Sequence, residues 1–187
     1  MILSQVERYR CWVLPILLVL LAGPAAALDD IYLVRHAEKV AFWPAEFDSF
    51  QPLAPAGVAR AEALAGRFKT AGIAAAYTSR TTRALATAMP LVEATHIPIT
   101  ADDATTKPDQ MAAFLTGLRE KHKADRAVLI VGHGNTVPEL LVHLGAKPDC
   151  FQRLGITGKP GSLMIEGFAG IWKVDLKKQG CEAITRE

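Results

Sequence analysis

Ile31-Tyr32-Leu33-Val34-Arg35-His36-Ala37-Glu38-Lys39 places a histidine directly after a short apolar run. Ala127-Val128-Leu129-Ile130-Val131-Gly132-His133-Gly134-Asn135 does the same much further along the chain. Short runs of this kind, ended by Gly or polar residues, read as buried parallel strands. In an open α/β sheet, ligands bind beyond the carboxyl ends of the strands. The two runs therefore carry His36 and His133 to one rim. A third run, Ala74-Ala75-Ala76-Tyr77-Thr78-Ser79, leads into a helix whose first turn holds Arg83. Two imidazoles with the guanidinium groups of Arg35 and Arg83 make a site for a phosphate dianion.

Working outward, strands and helices alternate. A loop runs from Val40 to Pro55, and Ala61, Leu64, Ala65 and Phe68 then recur at helical spacing. Ala71-Gly72 closes that helix, and a strand follows near Ala74 to Thr78. Leu85, Ala88, Met89 and Val92 mark the next helix. Ile97 to Thr100 reads as a short strand at a sheet edge, because Pro98 lacks the ladder donor. Met111, Phe114, Leu115 and Leu118 mark a third helix, and Val137, Leu140, Leu141 and Leu144 a fourth, with Thr136 and Glu139 spaced as a capping box. The stretch from Pro148 to Gly161 reads as irregular. Two further strands are expected near Ser162 to Glu166 and Ile171 to Leu176. The implied fold is α/β, a three-layer sandwich with a mostly parallel sheet and helices on both faces.

The first 27 residues read as a signal peptide rather than as fold. Arg8 and Arg10 are basic, Val13 to Leu21 is an apolar core too short to span a bilayer comfortably, and Pro24-Ala25-Ala26-Ala27 offers a small-residue cleavage site. The alternative is an uncleaved anchor. Cleavage after Ala27 leaves residues 28–187 as a single domain of net charge +1, large enough for a proper core. A near-neutral domain gives no support for nucleic-acid or membrane-surface binding. The expected location is periplasmic or secreted, and the expected partner a phosphorylated small molecule or envelope component. Cys150 and Cys181 remain, an even pair in an oxidising compartment, where they form either a disulfide or two free thiols.

Catalysis on a phosphomonoester is mostly positioning and electrostatic stabilisation. A neutral imidazole can attack phosphorus and form a phosphohistidine. The arginines should press His36 toward its neutral form, while His133 serves as a donor to the phosphate. The cations supply the charge, so the reading requires no metal and no cofactor. His96, His122 and His143 are assigned to surface or structure, Arg80 to solvent, and Arg60 to a helix surface or ion pair. Ser79 is read as a helix cap, and Gly57 and Gly134 as backbone requirements. Phe42, Trp43, Phe47 and Phe50, in the loop after His36, either wall the leaving-group side or pack on the domain.

Four segments in order resemble the histidine phosphatase superfamily, the group that includes cofactor-dependent phosphoglycerate mutases and many small phosphatases. Leu33 to Lys39 resembles its R-H-G/A signature. Pro52 to Ala61 resembles its L-T-x-x-G-x-x-Q/R-A segment, and Tyr77 to Ala88 its S-x-x-x-R-A-x-x-T-A segment. Val131 to Thr136 resembles its second histidine motif. The resemblance spans roughly residues 31 to 146 and implies His36 as nucleophile. It implies Arg35, Arg83 and His133 as the rest of the phosphate pocket, with Gly134 beside them in substrate binding. The mutases' E-x-x-x-G-x-W segment has no counterpart between Arg83 and His133, so the family's proton donor does not carry over. Asp102, Asp103 and Glu38 are the candidate donors that remain. The same short stretch leaves no room for a large cap, which favours hydrolysis over retained phosphoryl transfer. The expectation is a metal-independent phosphomonoesterase. The alternatives are a non-catalytic phospho-ligand binder, a phosphotransferase or mutase, and a metal protein using both histidines and a carboxylate. Export of the full chain should yield a protein beginning at Leu28. Intact mass checks this, and a mature chain beginning at Met1 contradicts cleavage.

Overall fold

Every strand of the central sheet that carries a site residue has its neighbour fixed by an apolar run. The computed structural model describes residues 28–187; the signal-peptide reading of residues 1–27 lies outside them. In chain order the elements are β1 (Asp30–Arg35), α1 (Pro55–Phe68), β2 (Ile73–Thr78), α2 (Thr82–Thr95), β3 (Ile99–Ala101), α3 (Pro108–Lys121) and β4 (Ala127–Gly132). After these come α4 (Thr136–His143), α5 (Pro148–Leu154), β5 (Ile156–Thr157), β6 (Met164–Ile165), β7 (Ile171–Asp175) and β8 (Ile184–Arg186). Six strands form one sheet in the order β3-β2-β4-β1-β7-β8, and β5 pairs with β6 in a separate ribbon.

The four strands β3, β2, β4 and β1 are parallel, while β7 and β8 add an antiparallel edge. Side chains alternate along each strand, so each run feeds two cores. Ile31, Leu33, Val128 and Ile130 face α3, α4 and α5, where they meet Met111, Leu115, Leu140, Leu141 and Leu154. Val34, Ala127, Leu129 and Val131 face α1 and α2, against Ala65, Phe68, Ala84, Ala88 and Leu91. Both faces of β4 are buried along its whole length, as expected of a central parallel strand with a continuous apolar sequence.

Most of the sequence reading holds: the sheet is mainly parallel and flanked by helices, and β3 lies at its edge. Two local expectations need correction, and one strand has no counterpart in the sequence reading. The tail from Pro148 is not irregular, because Pro148 starts the short helix α5 and Gly155 closes it in the left-handed conformation (φ 69°). The strand β8 has too few residues to show a period and gains its place by pairing with β7. Asn135, not Thr136, caps α4, and no capping box forms; the Thr136 hydroxyl instead accepts the His133 backbone N–H at 2.9 Å. Of the two states open to the cysteines, the structure holds the disulfide, joining Cys150 of α5 to Cys181 before β8.

Gly57 in α1 shows how the fold fixes the segment after β1. The Ala54 N–H donates to the Glu38 carbonyl at 2.8 Å. A Cβ at position 57 would lie 3.0 Å from the Glu38 backbone nitrogen and collide with its carbonyl oxygen. The first turn of α1 can seat against this backbone only with glycine there. Gly57→Ala should cost about 1–3 kcal/mol, read from urea unfolding midpoints. No measurable change would show that the Glu38 segment yields freely.

Candidate active site

Three adjacent parallel strands deliver the site. β1 pairs with β4 in a register that sets Arg35 opposite Gly132, and the His36 N–H continues the ladder to the Gly132 carbonyl at 2.8 Å. β2 pairs with the other edge of β4, with Thr78 opposite Val131. His133 thus emerges between His36 on one side and Ser79 on the other. The imidazole rings of His36 and His133 stand edge to face with centroids 5.1 Å apart.

His36 is almost fully buried. Its Nδ1 lies 2.8 Å from the carbonyl oxygen of Ala37. A carbonyl only accepts, so Nδ1 must carry the proton and Nε2 keeps its lone pair. Burial pushes the pKa of His36 down to about 4; the Ala37 bond opposes this, and Arg83, Arg35 and Lys39 add to the lowering. Burial, more than the expected arginine field, is therefore the main reason the ring is neutral. His133 falls further, to about 3, again through burial first, then through His36 and Arg83, with the Asp48 carboxylate opposing. Its Nε2 shares a hydrogen bond with Ser79 Oγ at 2.8 Å. The hydroxyl also contacts Thr81 Oγ1 at 3.0 Å. Ser79 is thus an orienting partner of His133, and α2 takes Thr81 as its N-cap with no side-chain cap bond.

Arg83 is buried in the first turn of α2. Thr87, one turn on, ties this helix to the segment that carries His36: its hydroxyl donates to the Arg83 carbonyl at 2.7 Å and accepts the Ala37 N–H at 2.9 Å. Arg35 stacks on Phe168, 4.3 Å from the ring centroid, and Nη1 donates to the Gly167 carbonyl at 3.1 Å. Burial and the neighbouring Arg83 lower its pKa from the ordinary value, yet a guanidinium stays protonated at any working pH. The Nε groups of both arginines are buried without a hydrogen-bond partner among the described residues. Gly134 packs on Arg35, where a Cβ would meet the guanidinium carbon at 3.3 Å.

These side chains line an open pocket of about 320 Å³ that holds Arg35, His36, Lys39, Arg83, His133, Gly134 and Thr106. The three candidate proton donors lie apart from it. Glu38 is bound through both oxygens to Arg60 at 2.8–2.9 Å, which holds its carboxyl below the usual range. Asp103 pairs with the exposed Arg80 at 3.1 Å, and Asp102 caps the Ala104 N–H at 2.9 Å. His122 is structural, buried between the Tyr77 hydroxyl at 2.6 Å and Asp125 at 2.7 Å. The aromatic side chains of the loop do not pack on the domain: Phe42, Trp43, Phe47 and Phe50 are all exposed.

Sequence reasoning missed Lys39, Thr87 and Asp48. Thr87 carried a signal, as a hydroxyl one turn beyond Arg83 on the face that also buries Ala84, Ala88 and Leu91. Asp48 carried none, because its contact with Arg83 depends on the path of a loop.

The sequence model of the histidine phosphatase superfamily (branch 1) matches residues 31–106, the stretch that contains His36, Gly57 and Arg83. Over that stretch the chain is similar to the histidine phosphatase superfamily. Solved structures share the architecture. The protein histidine phosphatase SixA in complex with tungstate is 17% identical, with a TM-score of 0.61 over 84% of this chain and 94% of that one. A mycobacterial glucosyl-3-phosphoglycerate phosphatase is 16% identical, with a TM-score of 0.60 over 85% of this chain and 97% of that one. The alpha-ribazole phosphatase of Shigella flexneri is 13% identical, with a TM-score of 0.56 over 74% of this chain and 95% of that one. At these identities the likeness shows a shared histidine phosphatase fold. No curated protein matched. The match to the superfamily's model supports phosphatase activity.

The two depressed histidines have a consequence for stability. An unfolded histidine titrates near its ordinary value of 6.5, whereas His36 and His133 stay neutral down to about 4 and about 3. As pH falls through that window the unfolded chain takes up protons that the folded rings refuse, so stability declines. Urea midpoints should fall from pH 7 to pH 4 more steeply in the native protein than in a His36→Asn/His133→Asn variant. Parallel curves would contradict the neutral assignment.

Proposed function

We propose that this protein is a metal-independent phosphomonoesterase that works through a phosphohistidine on His36. The observation that carries the reading is the pinned imidazole. With Nδ1 bonded to the Ala37 carbonyl at 2.8 Å, Nε2 is the basic nitrogen left to the pocket. A ring whose pKa is about 4 is a nucleophile without prior deprotonation at neutral pH.

Arg35 and Arg83 offer charged donors to the non-bridging oxygens, and both have a buried Nε that an anion's oxygen would satisfy. His133 adds a neutral ring within 5.1 Å of the nucleophile, oriented by Ser79. The Nε2 lone pair attacks phosphorus as the ester P–O bond breaks; a water then attacks the phosphohistidine and returns the lone pair to Nε2. The segment between Arg83 and β4 supports hydrolysis over retained transfer. It forms β3 and α3, whose Met111, Leu115 and Leu118 pack into the core under the sheet, and it adds only Thr106 to the lining of the open pocket. Water can therefore reach the intermediate.

Export through the N-terminal segment would put this chemistry in the periplasm or outside the cell, on a phosphorylated small molecule or an envelope component. The structural neighbours' named substrates differ from one another, phosphohistidine and phosphate esters among them, so they support phosphoryl hydrolysis and do not choose the substrate.

His36→Ala should lower turnover of an aryl phosphate by about a thousandfold or more, and vanadate should inhibit the native protein. Full activity in the His36→Ala variant would end the reading.

A further inference from the structure

The loop that follows β1 returns to the pocket through one acidic residue. Residues Ala45–Phe50 form a 3-10 turn. Within it, the Asp48 carbonyl accepts from Arg83 Nη1 at 2.6 Å, and Asp48 Oδ2 accepts from Arg83 Nη2 at 2.9 Å. Lys39, another lining residue, stands 3.5 Å from Oδ1. The loop is tied at its base, where Gln51 Nε2 donates to the Val40 carbonyl at 2.7 Å and the Val40 N–H donates to that of Pro52 at 3.1 Å. The Asp48 side chain is half-exposed. A carboxylate thus occupies the donors of a guanidinium that a phosphate would claim, and it is free on its outer side to turn.

We propose that Asp48 gives the leaving oxygen its proton and later takes one from the attacking water, an assignment that rests on the phosphomonoesterase reading of the site. The other carboxylates considered for this task are engaged elsewhere: Glu38 with Arg60, Asp103 with Arg80, and Asp102 with the Ala104 N–H. Arg83 holds the Asp48 carboxyl below its ordinary pKa in the resting site, chiefly through their hydrogen bond. An arriving phosphate dianion competes for the same N–H groups and turns the carboxylate off the guanidinium. Asp48 then loses a cation and gains an anion as its neighbour, and both changes favour its protonated form.

The steps balance. The Nε2 lone pair of His36 forms the N–P bond as the P–O ester bond breaks. The bonding pair goes to the leaving oxygen, which takes the Asp48 proton and departs as an alcohol. Water then forms a P–O bond, its proton passes to the Asp48 carboxylate, and the N–P pair returns to Nε2. When inorganic phosphate leaves, Asp48 releases its proton and resumes its place on Arg83.

Leaving-group dependence separates this role from simple competition for Arg83. Native protein and the variants Asp48→Asn and Asp48→Glu are assayed on a series from nitrophenyl to alkyl phosphates. A proton donor matters most for basic leaving groups. Asp48→Asn should lose about a hundredfold in kcat/KM on alkyl phosphates and only a few-fold on nitrophenyl phosphate, and Asp48→Glu should recover part of the loss. A uniform change across the series, or a uniform gain, would overturn the assignment and leave Asp48 as a competitor for Arg83. A native protein inactive on the whole series would instead overturn the phosphomonoesterase reading beneath it. Unchanged thermal midpoints confirm that the comparison concerns the site.

Discussion

The parallel pairing of β1 with β4 is the constraint on which the site depends. Its register sets Arg35 beside Gly132, so the residues that follow, His36 and His133, leave the sheet side by side. The ladder even extends one step past the strand, through the His36 N–H and the Gly132 carbonyl. A shift of one residue would turn every side chain of β1 to the opposite core and move His36 from the pocket. The apolar alternation that divides Ile31 and Leu33 from Val34 therefore positions the histidines as well as the core.

A neutral ring among cations is the electrostatic counterpart of that geometry. The arginines alone would disfavour an imidazolium, but the enclosure of His36 by the sheet and by Phe168 is the larger cause. The same burial leaves the Ala37 carbonyl to choose the tautomer. Thr87 joins these parts, since one hydroxyl bridges the strand that carries His36 and the helix that carries Arg83. Relative motion of His36 and the Arg83 guanidinium would break that bridge.

Much of this was legible in the sequence. The apolar runs ending at His36 and His133 read as adjacent buried strands because parallel strands have no polar face to blur the signal. Arg83 was legible as a first-turn residue after a strand. What was not legible depends on contacts between segments distant in sequence. The β8 strand is too short for a period and exists by pairing with β7. Ser79 looked like a cap because serine before a helix usually is one; its hydroxyl turns to His133 instead. Asp102, Asp103 and Glu38 looked suitable by position, yet each meets a nearer partner than the pocket. Asp48 sits in a loop without periodicity, and only the fold brings it to Arg83.

The central claim is that Nε2 of His36 captures phosphorus. Rapid quenching of native protein with a labelled aryl phosphate tests it directly. The account predicts an acid-labile, base-stable phosphoryl group on the peptide containing His36, formed and consumed at rates that support turnover. Turnover with no such adduct, or with the label on another residue, would contradict it.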